Sequence, residues 1–434
     1  MKWSAMSNSN ACLLTVAGAL ALVGCSEEPK PAPAPPSIEI KIGHVAPLTG
    51  GIAHLGKDNE NGARLALEQA NAAKIKIDGK DARFVMLAED DQADPKVGTT
   101  VAQKLIDAKV AGVIGHLNSG TSIPASSVYN GANIPMISGS ATNPQLTEQG
   151  FKGVFRVMGR DDQQGPAIAS YLAANHKPKL VAIIDDATAY GEGLANEVEK
   201  YFKGANIRVL PREKGDDKRS DWKAVLTKVK GRNPDAVFYG GMDATGGPLL
   251  KQARELNIKA LFSFGDGGCS DKMIELAGAA AEGMLCSQAG LPPAAASKKF
   301  LDAYKARFKT DPILYSPFTY DAMQMLIGAM KSANSADPAK YLPVMQKMEF
   351  SGATGRIAFD EKGDRKDAEM SIFKVKDGKL EAIAIIKNGQ TVAFADFMAQ
   401  ANPAPAAAEA PKAAEPAKDA PKAAAEPAKE AAKK

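Results

Sequence analysis

Short runs rich in β-branched residues alternate with longer amphipathic stretches throughout residues 38–387. The short runs have the length of buried strands, and the longer stretches show the apolar spacing of helices that cover a sheet. This alternation is typical of βα units, in which helices pack on a mostly parallel sheet. The sequence therefore predicts an α/β fold.

The predicted strands fall into two groups, which indicates two sheets. The first group is residues 38–46, 84–88, 110–115 and 134–138, and the second is residues 180–185, 207–211, 236–240, 261–264 and 283–287. Predicted helices lie at residues 59–73, 95–109, 193–202, 221–229, 247–256, 297–308 and 317–332. A strand-rich ending at residues 356–387 predicts that the chain returns to the first lobe and then to the second.

Residues 1–24 have the pattern of an export signal. Lys2 supplies a positive charge, and residues 11–24 form an apolar stretch that is short for a membrane span. Residues 22–25, Leu-Val-Gly-Cys, resemble the lipobox of bacterial lipoproteins, in which the cysteine becomes the lipid-bearing first residue. We therefore predict a signal peptide at residues 1–24 and lipidation of Cys25. An ordinary signal sequence that ends near a cysteine is the alternative.

Both flanks of the predicted lobes have a composition that cannot build a core. Residues 25–37 comprise the lipid-bearing cysteine and a stretch rich in Pro and Ala, for which we predict a flexible tether. Residues 401–434 repeat Ala, Pro, Lys and Glu, which predicts a disordered tail. A segment that contacts the cell wall is the alternative for this tail.

The charge of the chain excludes one class of partner. The 54 basic and 50 acidic residues are spread along the sequence and give a formal charge of +4. Nucleic-acid binding needs Lys and Arg concentrated on one face. We therefore predict no nucleic-acid partner.

Catalytic and metal-binding motifs are also missing from the sequence. His44, His54, His116 and His176 do not show metal-ligand spacing. The chain contains no Gly-x-Ser-x-Gly elbow, His-Glu-x-x-His helix or complete Gly-x-x-x-x-Gly-Lys-Ser/Thr phosphate loop. Ser220 has the Ser-x-x-Lys spacing of some acyl enzymes but lacks their companion motifs. We predict a protein that is not an enzyme and that has no cofactor and no metal.

Two kinds of loop follow the predicted strands. In the first group, residues 115–121 and 138–144 are rich in Ser, Thr and Gly and precede helices, an arrangement that suits an anion. In the second group, residues 185–193, 240–243 and 265–269 carry acids and an aromatic residue. Ligands of open α/β sheets bind at the carboxyl ends of strands. The loops therefore predict a carboxylate on one lobe and an ammonium on the other, the two charged groups of an α-amino acid.

Six motifs in and around these loops carry a family resemblance. They include Val-Ile-Gly-His-Leu at residues 113–117 and Tyr-Gly-Glu-Gly at residues 190–193; the full set is residues 113–119, 140–142, 162–166, 190–195, 239–241 and 359–364. In order and spacing they resemble the leucine/isoleucine/valine-binding proteins of the type I periplasmic binding protein family, over nearly all of residues 38–387.

The resemblance implies two Rossmann-like lobes in a Venus-flytrap arrangement, joined by three hinge segments near Arg160, Gln288 and Ala368. The implied first lobe is residues 38–160 with 289–367. The implied second lobe is residues 161–288 with 368–400.

The resemblance also implies roles for individual residues. Ser119 and Thr142 match positions whose hydroxyls bind the ligand carboxylate. Ser140 matches a position that contributes main-chain groups, and Ala141 beside it belongs to the same predicted site. Asp266 matches an acid that pairs with the ammonium, although the archetype has a glutamate there.

The walls of the ligand pocket are implied in the same way. Tyr190 matches an aromatic residue of the opposite lobe, and Leu55 and Tyr315 match walls of the side-chain pocket. Met242 stands where the archetype has a tyrosine. This difference leaves the exact ligand open, because a buried polar group without a partner costs about 1–3 kcal/mol. Taken alone, the same residue types are equally typical of helix caps, turns and ordinary core packing.

Cysteine usage predicts a disulfide. Outside the signal peptide and the lipidation site the chain has two cysteines, Cys269 and Cys286, and an exported chain meets an oxidising compartment. Two free buried thiols are the alternative. The archetype's own disulfide positions are occupied here by Ala93 and Asn118.

The resemblance implies a monomeric, lipid-anchored receptor of the periplasm that captures leucine, isoleucine or valine by lobe closure. Its implied partner is the permease of an ABC transporter. Two alternatives stay open: a receptor of the same fold for an amide, urea or an aromatic acid, and a signalling module that reports ligand to a partner. Ligands of the first alternative have no ammonium and would need no acid at Asp266.

Overall fold

A six-stranded sheet forms the first half of the fold. The computed structural model describes residues 36–401, and its first strands are β1 (Ser37–Ala46), β2 (Lys76–Ile77), β3 (Lys80–Asp90), β4 (Val113–Gly115), β5 (Met136–Ser138) and β6 (Val154–Arg156). The strand order is β2-β3-β1-β4-β5-β6. Neighbouring strands are parallel except β2 and β3, which pair antiparallel.

A second sheet is built from later strands. The remaining strands, in chain order, are β7 (Leu180–Asp185), β8 (Arg208–Val209), β9 (Glu213–Lys214), β10 (Ala236–Gly240), β11 (Leu261–Phe264), β12 (Leu285–Gln288), β13 (Glu349–Gly352), β14 (Gly355–Ala358), β15 (Met370–Lys376), β16 (Lys379–Lys387) and β17 (Gln390–Ala393). The sheet order is β17-β16-β15-β12-β11-β10-β7-β8, with β9 paired to β7. The strands from β7 to β12 in this sheet are parallel, whereas β15, β16 and β17 run antiparallel. β13 and β14 form a separate hairpin.

Helices connect and cover the strands. They are α1 (Ala53–Ala72), α2 (Pro95–Asp107), α3 (Ser119–Gly131), α4 (Gln145–Glu148), α5 (Asp161–His176), α6 (Ala189–Gly204), α7 (Lys223–Arg232), α8 (Asp243–Glu255), α9 (Asp271–Ala277), α10 (Lys298–Phe308), α11 (Ser316–Ser332), α12 (Pro338–Gln346) and α13 (Phe394–Ala401). α1 and α11 pack against the first sheet, and α5 and α6 pack against the second. Each sheet with the helices packed on it is called the first lobe or the second lobe below.

The central strands are buried along their whole length, which explains their nearly continuous apolar sequence. β10 reads Ala-Val-Phe-Tyr-Gly, and every residue in it is buried. Parallel strands that are covered on both faces lack the polar alternation of half-exposed strands. This is the reason that β7, β10 and β11 could be predicted within a residue or two.

Small residues let helices approach each other near the cleft. A Cβ at Gly62 of α1 would overlap the carbonyl oxygen of Ser316 at the start of α11. A Cβ at Gly165 of α5 would lie 2.6 Å from the Cβ of Glu197 on α6. The two glycines therefore let α1 approach α11 and α5 approach α6 closely.

Three chain segments cross between the lobes side by side. The backbone N–H of Gly159 donates to the carbonyl of Ala289 at 2.8 Å, and Ser371 Oγ donates to the carbonyl of Gly290 at 2.6 Å. Arg365 Nη1 donates to the carbonyl of Val157 at 3.1 Å. The crossings lie at the positions expected for hinge segments, and rotation about them stays a prediction, as do the exact lobe boundaries.

The predicted α/β fold with two sheets is confirmed, and the chain does return through the first lobe to the second. The prediction missed several short elements, among them β6, β9 and α13. Within residues 36–401, no helix combines the length and the apolarity that crossing a membrane requires. The predicted signal peptide, Cys25, nearly all of the tether and the tail lie outside the described residues.

Candidate functional site

Asp266 is the centre of the candidate site. It follows β11 and begins a short 3-10 turn, and it is 1% exposed. Its Oδ1 accepts hydrogen bonds from Tyr190 Oη at 2.8 Å and from Gln164 Nε2 at 3.0 Å. Its Oδ2 accepts one from Tyr315 Oη at 2.7 Å. Tyr190 and Gln164 belong to the second lobe, whereas Tyr315 belongs to the first, so the acid links the two lobes.

Burial controls the electrostatics of this group. It raises the pKa of Asp266 above its ordinary value, although the hydrogen bonds from Tyr315, Tyr190 and Gln164 act in the opposite direction. Burial and the nearby Asp266 carboxylate raise the pKa values of Tyr190 and Tyr315 well above their ordinary values. Both tyrosines therefore remain protonated hydrogen-bond donors, and none of the three donors brings a positive charge.

A second buried acid, Asp161, belongs to the same region. It is the first residue of α5, it is fully buried, and neither of its carboxylate oxygens has a hydrogen-bond partner among the described residues. Burial, and after it the charge of Asp266, raise the pKa of Asp161 well above its ordinary value. A carboxylate in such surroundings costs free energy unless a cationic group binds to it.

Hydroxyl groups of the first lobe gather beyond the ends of β4 and β5. Ser119 begins α3, and its Oγ accepts the backbone N–H of Asn143 at 3.2 Å. Ser140 Oγ accepts a hydrogen bond from Asn59 Nδ2 at 3.1 Å. Thr142 is fully buried, and its Oγ1 has no partner among residues 36–401. The Thr142 hydroxyl is therefore available to a bound group.

The main-chain N–H groups of the Ser140 loop donate within the loop itself, and the predicted role of Ser140 toward a ligand stays a prediction. The N–H groups of Ser140 and Ala141 both donate to Ser138 Oγ, at 3.3 and 2.9 Å. They are thus engaged within the loop in this closed arrangement. The N–H groups at the start of α3 have no acceptor within the helix, as at any helix N-terminus.

A buried arginine fixes the loop that carries Thr142. Arg156 Nη1 donates to the carbonyl oxygens of Ala141 at 3.0 Å and Asn143 at 2.9 Å, the two residues that flank Thr142. Its Nε donates to Asp364 Oδ1 at 2.9 Å. The guanidinium is fully buried, so this ion pair holds the loop rigidly.

A cavity of about 650 Å³ opens in the cleft between the lobes. Its wall includes Ile52 and Asn118 from the first lobe and Tyr190, Met242 and Ala244 from the second. Two of the nine predicted ligand-binding residues, Tyr190 and Met242, therefore line it. The other seven are buried and do not contribute to this wall: Leu55, Ser119, Ser140, Ala141, Thr142, Asp266 and Tyr315.

The lobes touch around the site. His54 Nε2 on α1 lies 2.7 Å from Asp243 Oδ2 on α8, and Asn143 Nδ2 donates to the carbonyl of Ala189 at 2.6 Å. A Cβ at Gly51 would lie 3.1 Å from the Cβ of Ala244. These contacts show that the cleft is closed over the candidate site.

The sequence that forms both lobes matches a known family. The sequence profile of the periplasmic binding protein family matches residues 39–379. The chain belongs to the periplasmic binding protein family. This agrees with the two-sheet fold and with a site placed between the lobes.

Relatives and solved structures narrow the resemblance within periplasmic binding proteins. A leucine-, isoleucine-, valine-, threonine- and alanine-binding protein from Pseudomonas aeruginosa is 34% identical over 339 residues, which cover 77% of this chain and 89% of that protein. The crystal structure of a leucine binding protein from Thermotoga maritima is 30% identical in sequence and has a TM-score of 0.74. The match covers 80% of this chain and 99% of that protein. A branched-chain amino acid transporter substrate binding protein from Streptococcus pneumoniae, solved with isoleucine, is 28% identical and has a TM-score of 0.73. The match covers 81% of this chain and 100% of that protein.

The predicted disulfide of this periplasmic binding protein is confirmed. Cys269 and Cys286 are bonded, with their Cα atoms 5.6 Å apart. The bond joins the turn that begins at Asp266 to β12. No group of three or more His, Cys, Asp or Glu side chains in the described chain is arranged to hold a metal ion.

Two residues of the candidate site go beyond the sequence-based prediction. Tyr315 is predicted as a wall of the side-chain pocket, which stays a prediction, and its hydroxyl also binds Asp266. Asp161 was missed because an acid in the first turn of a helix is common at any helix N-terminus. Its position directly after the first crossing segment is the signal that could have identified it.

Proposed function

We propose that this protein is the solute-binding receptor of an ABC importer and that it captures leucine, isoleucine or valine. The observation that carries the proposal is a cluster of three buried groups in one cleft: the hydroxyl of Thr142 and the acids Asp161 and Asp266, with the Asp161 N–H donating to the Thr142 carbonyl at 2.9 Å. An α-amino acid presents a carboxylate and an ammonium at a fixed, short separation. The cleft offers a partner to each.

The acidic side suits an ammonium group. Asp161 leaves both carboxylate oxygens without partners, and Gln164 Oε1 is also buried without one among the described residues. Asp266 has only neutral donors around it. An ammonium has three N–H donors and one positive charge, so it supplies both what these acceptors lack and the charge that the buried acids require.

The hydroxyl side suits a carboxylate. Thr142 Oγ1 is an unused donor, and Ser119 lies at the N-terminus of α3, where unsatisfied N–H groups and the helix dipole favour an anion. Arg156 forms an ion pair with Asp364 and donates to loop carbonyls, so its charge is balanced by Asp364 and not by the ligand. The ligand carboxylate is therefore bound by neutral donors, just as the acid Asp266 is surrounded by them.

The side-chain end of the ligand lies against an apolar surface. Ile52, Ala189, Met242 and Ala244 form the apolar part of the wall of the cleft cavity, which also carries Asp186, Asp216, Asp217 and Lys218. Branched aliphatic side chains bury their surface against the apolar part.

Closure of the lobes completes the mechanism. In the open form the acids are solvated, and the ligand binds first to one lobe. Rotation about the three crossing segments then forms the contacts between His54 and Asp243 and between Asn143 and Ala189. The closed form is the one that the permease recognises. The protein binds and releases its ligand as a monomer, without chemical turnover.

The proposal places the mature protein in the periplasm, held to a membrane by lipid on Cys25. The supporting observation is the sequence of residues 22–25, Leu-Val-Gly-Cys. Replacement of Cys25 by Ala is expected to abolish incorporation of labelled fatty acid into the protein. Unchanged labelling would rule out lipidation at this residue.

Calorimetric titration of the purified protein, freed of bound ligand by unfolding and refolding, tests the ligand assignment. The panel is the common amino acids, urea, simple amides and benzoate. We expect micromolar or tighter binding of leucine, isoleucine or valine and a large loss of affinity in Asp266→Asn. Binding confined to compounds without an ammonium would replace the amino acid by another solute class. A receptor that binds as expected but supports no uptake would indicate a signalling role.

A further inference from the structure

Gln164 has a buried side chain whose hydrogen-bond partners among residues 36–401 are Asp266 and Ser287, on the strand that leads to the second crossing segment. Its Nε2 lies 3.0 Å from Asp266 Oδ1, 3.0 Å from the carbonyl oxygen of Ser287 and 3.1 Å from Ser287 Oγ. Gln164 itself is fully buried. We propose that Gln164 is a positioning residue: it holds the Asp266 carboxylate in place for the ligand ammonium and fastens it to β12. This inference rests on the proposed function.

The orientation of the carboxamide follows from its neighbours. Three oxygen acceptors surround one end of the Gln164 side chain, which identifies that end as the NH₂ group, because a carbonyl oxygen there would face the Asp266 carboxylate and the Ser287 carbonyl. The opposite end, Oε1, has no partner among residues 36–401. The amide therefore donates to Asp266 and directs a free acceptor elsewhere in the buried site.

The local packing explains why a glutamine can reach this point. Gly165 follows it in α5, and the lack of a side chain there lets α6 approach closely. α6 carries Tyr190 in its first turn. As a result Gln164 and Tyr190 reach the same oxygen of Asp266 from two adjacent helices. Tyr190 Oη also accepts the N–H of Gly267 at 3.0 Å, which orients its own proton toward the acid.

A neutral donor is what this position requires. A lysine or arginine would neutralise Asp266 and compete with the ligand for it. An apolar residue would leave Oδ1 with one donor fewer and make its charged form less stable in a buried site. Glutamine supports the negative charge without cancelling it, so the ligand ammonium remains the cation that completes the site.

The test compares Gln164→Met, which keeps the length but removes the donor, with Gln163→Met, the neighbouring exposed residue of the same helix. Leucine affinity is measured by calorimetry from about pH 5 to about pH 8, because Asp266 must be ionised to bind an ammonium. We expect Gln164→Met to weaken leucine binding by about tenfold or more relative to Gln163→Met. We also expect its affinity to begin falling at a higher pH as the solution is acidified, since loss of a donor makes Asp266 easier to protonate.

A second variant, Gln164→Glu, separates positioning from packing. At high pH its new carboxylate repels Asp266, so leucine should bind weakly. As the pH falls, the new carboxyl takes up a proton and can donate a hydrogen bond to Asp266, which should restore affinity before Asp266 itself is protonated. This rescue upon acidification is the opposite of the behaviour expected of Gln164→Met, and it does not depend on whether Gln164→Met folds.

Three outcomes would overturn the inference. In the first, Gln164→Met binds leucine as Gln163→Met does. In the second, its affinity falls by the same factor at every pH, which would make the side chain a packing element. In the third, Gln164→Glu shows no gain on acidification. If the unmodified protein and Gln163→Met bind no amino acid at all, the proposed function itself fails and this inference fails with it.

Discussion

Tyr315 Oη and Asp266 Oδ2, from opposite lobes, lie 2.7 Å apart in a hydrogen bond. A hydroxyl of the first lobe therefore contacts the acid to which we assign the ligand ammonium. We expect this contact between the lobes to form when the cleft closes. We propose that it couples capture of the ligand to closure of the lobes.

Tyr315→Phe tests this coupling. Loss of a hydrogen bond to a buried charged group is expected to weaken leucine binding by about 1–3 kcal/mol, or about tenfold to a hundredfold. Tyr320→Phe is the matched control. Tyr320 lies in α11, the helix that Tyr315 precedes, and its hydroxyl binds Gln69 outside the site. Calorimetric titration measures both. Equal affinities of the two variants would disprove the coupling.

Asp161→Asn removes a buried carboxylate whose oxygens have no hydrogen-bond partner among residues 36–401. We expect leucine affinity to fall by about tenfold or more, since a charged hydrogen bond to the ammonium is lost. The ligand-free protein should not lose thermal stability, because its open form leaves Asp161 solvated, and even in the closed form neither carboxylate oxygen has a hydrogen-bond partner among the described residues. Calorimetry and thermal unfolding follow the two effects. A variant that melts earlier yet binds leucine normally would assign Asp161 a structural role instead.

Asp364→Asn breaks the ion pair that supports the Thr142 loop. Burial alone would raise the pKa of Asp364, but the charge of Arg156 and the hydrogen bonds from Arg160, Arg156 and Thr147 outweigh it and lower the pKa. A carboxyl with a lowered folded pKa stabilises the fold above its unfolded pKa, and this stabilisation disappears as the pH falls through the folded pKa. We therefore expect the variant to be about 3–5 kcal/mol less stable near neutral pH.

The difference in unfolding free energy between this variant and the unmodified protein should shrink as the solution is acidified below about pH 4. Denaturant unfolding at several pH values measures it. Asp162→Asn is the control: its partner is also Arg160, but its side chain is 35% exposed, and such pairs contribute about 0–1 kcal/mol. A pH-independent difference for Asp364→Asn would contradict the role of the charge.

Replacement of Cys269 and Cys286 by Ser removes the bond beside Asp266. The cysteines are 17 residues apart. Closing a loop of this length lowers the conformational entropy of the unfolded chain and so stabilises the fold by about 3 kcal/mol. We expect a loss of unfolding free energy of this size and weaker leucine binding, since the turn that carries Asp266 is less restrained. A reducing agent should reproduce both effects in the unmodified protein and have no effect on the variant. Full affinity after reduction would show that the bond does not support the site.

The strands of the two sheets could be predicted because burial leaves a local signature. β10 is an unbroken apolar run, and no distant residue is needed to interpret it. β6 is different, since it ends at Arg156, a residue type that is typical of the surface. Its burial depends on Asp364, 208 positions later in the chain, which no local pattern contains.

The candidate site shows the same limit. Thr142 is predicted from its motif, residues 140–142, which is in register with the family, and Asp266 from the family acid that it matches; Gln164 belongs to the motif at residues 162–166, but no role is predicted for it. Asp161 and Gln164 lie in a helix start whose polar residues also serve as ordinary capping groups, as Gln163 does for Arg160. Their significance appears only when folding places them beside Asp266, about a hundred residues away.

Recognition of both ends of one amino acid is most directly tested by calorimetric titration with three related ligands. Leucine carries both charged groups, isocaproate lacks the ammonium, and isoamylamine lacks the carboxylate. The unmodified protein should bind leucine at least about a hundredfold more tightly than either analogue, because each analogue leaves one set of buried partners unpaired. Asp266→Asn should lose affinity for leucine but not for isocaproate. Equal binding of leucine and isocaproate by the unmodified protein would contradict an ammonium site at Asp161 and Asp266.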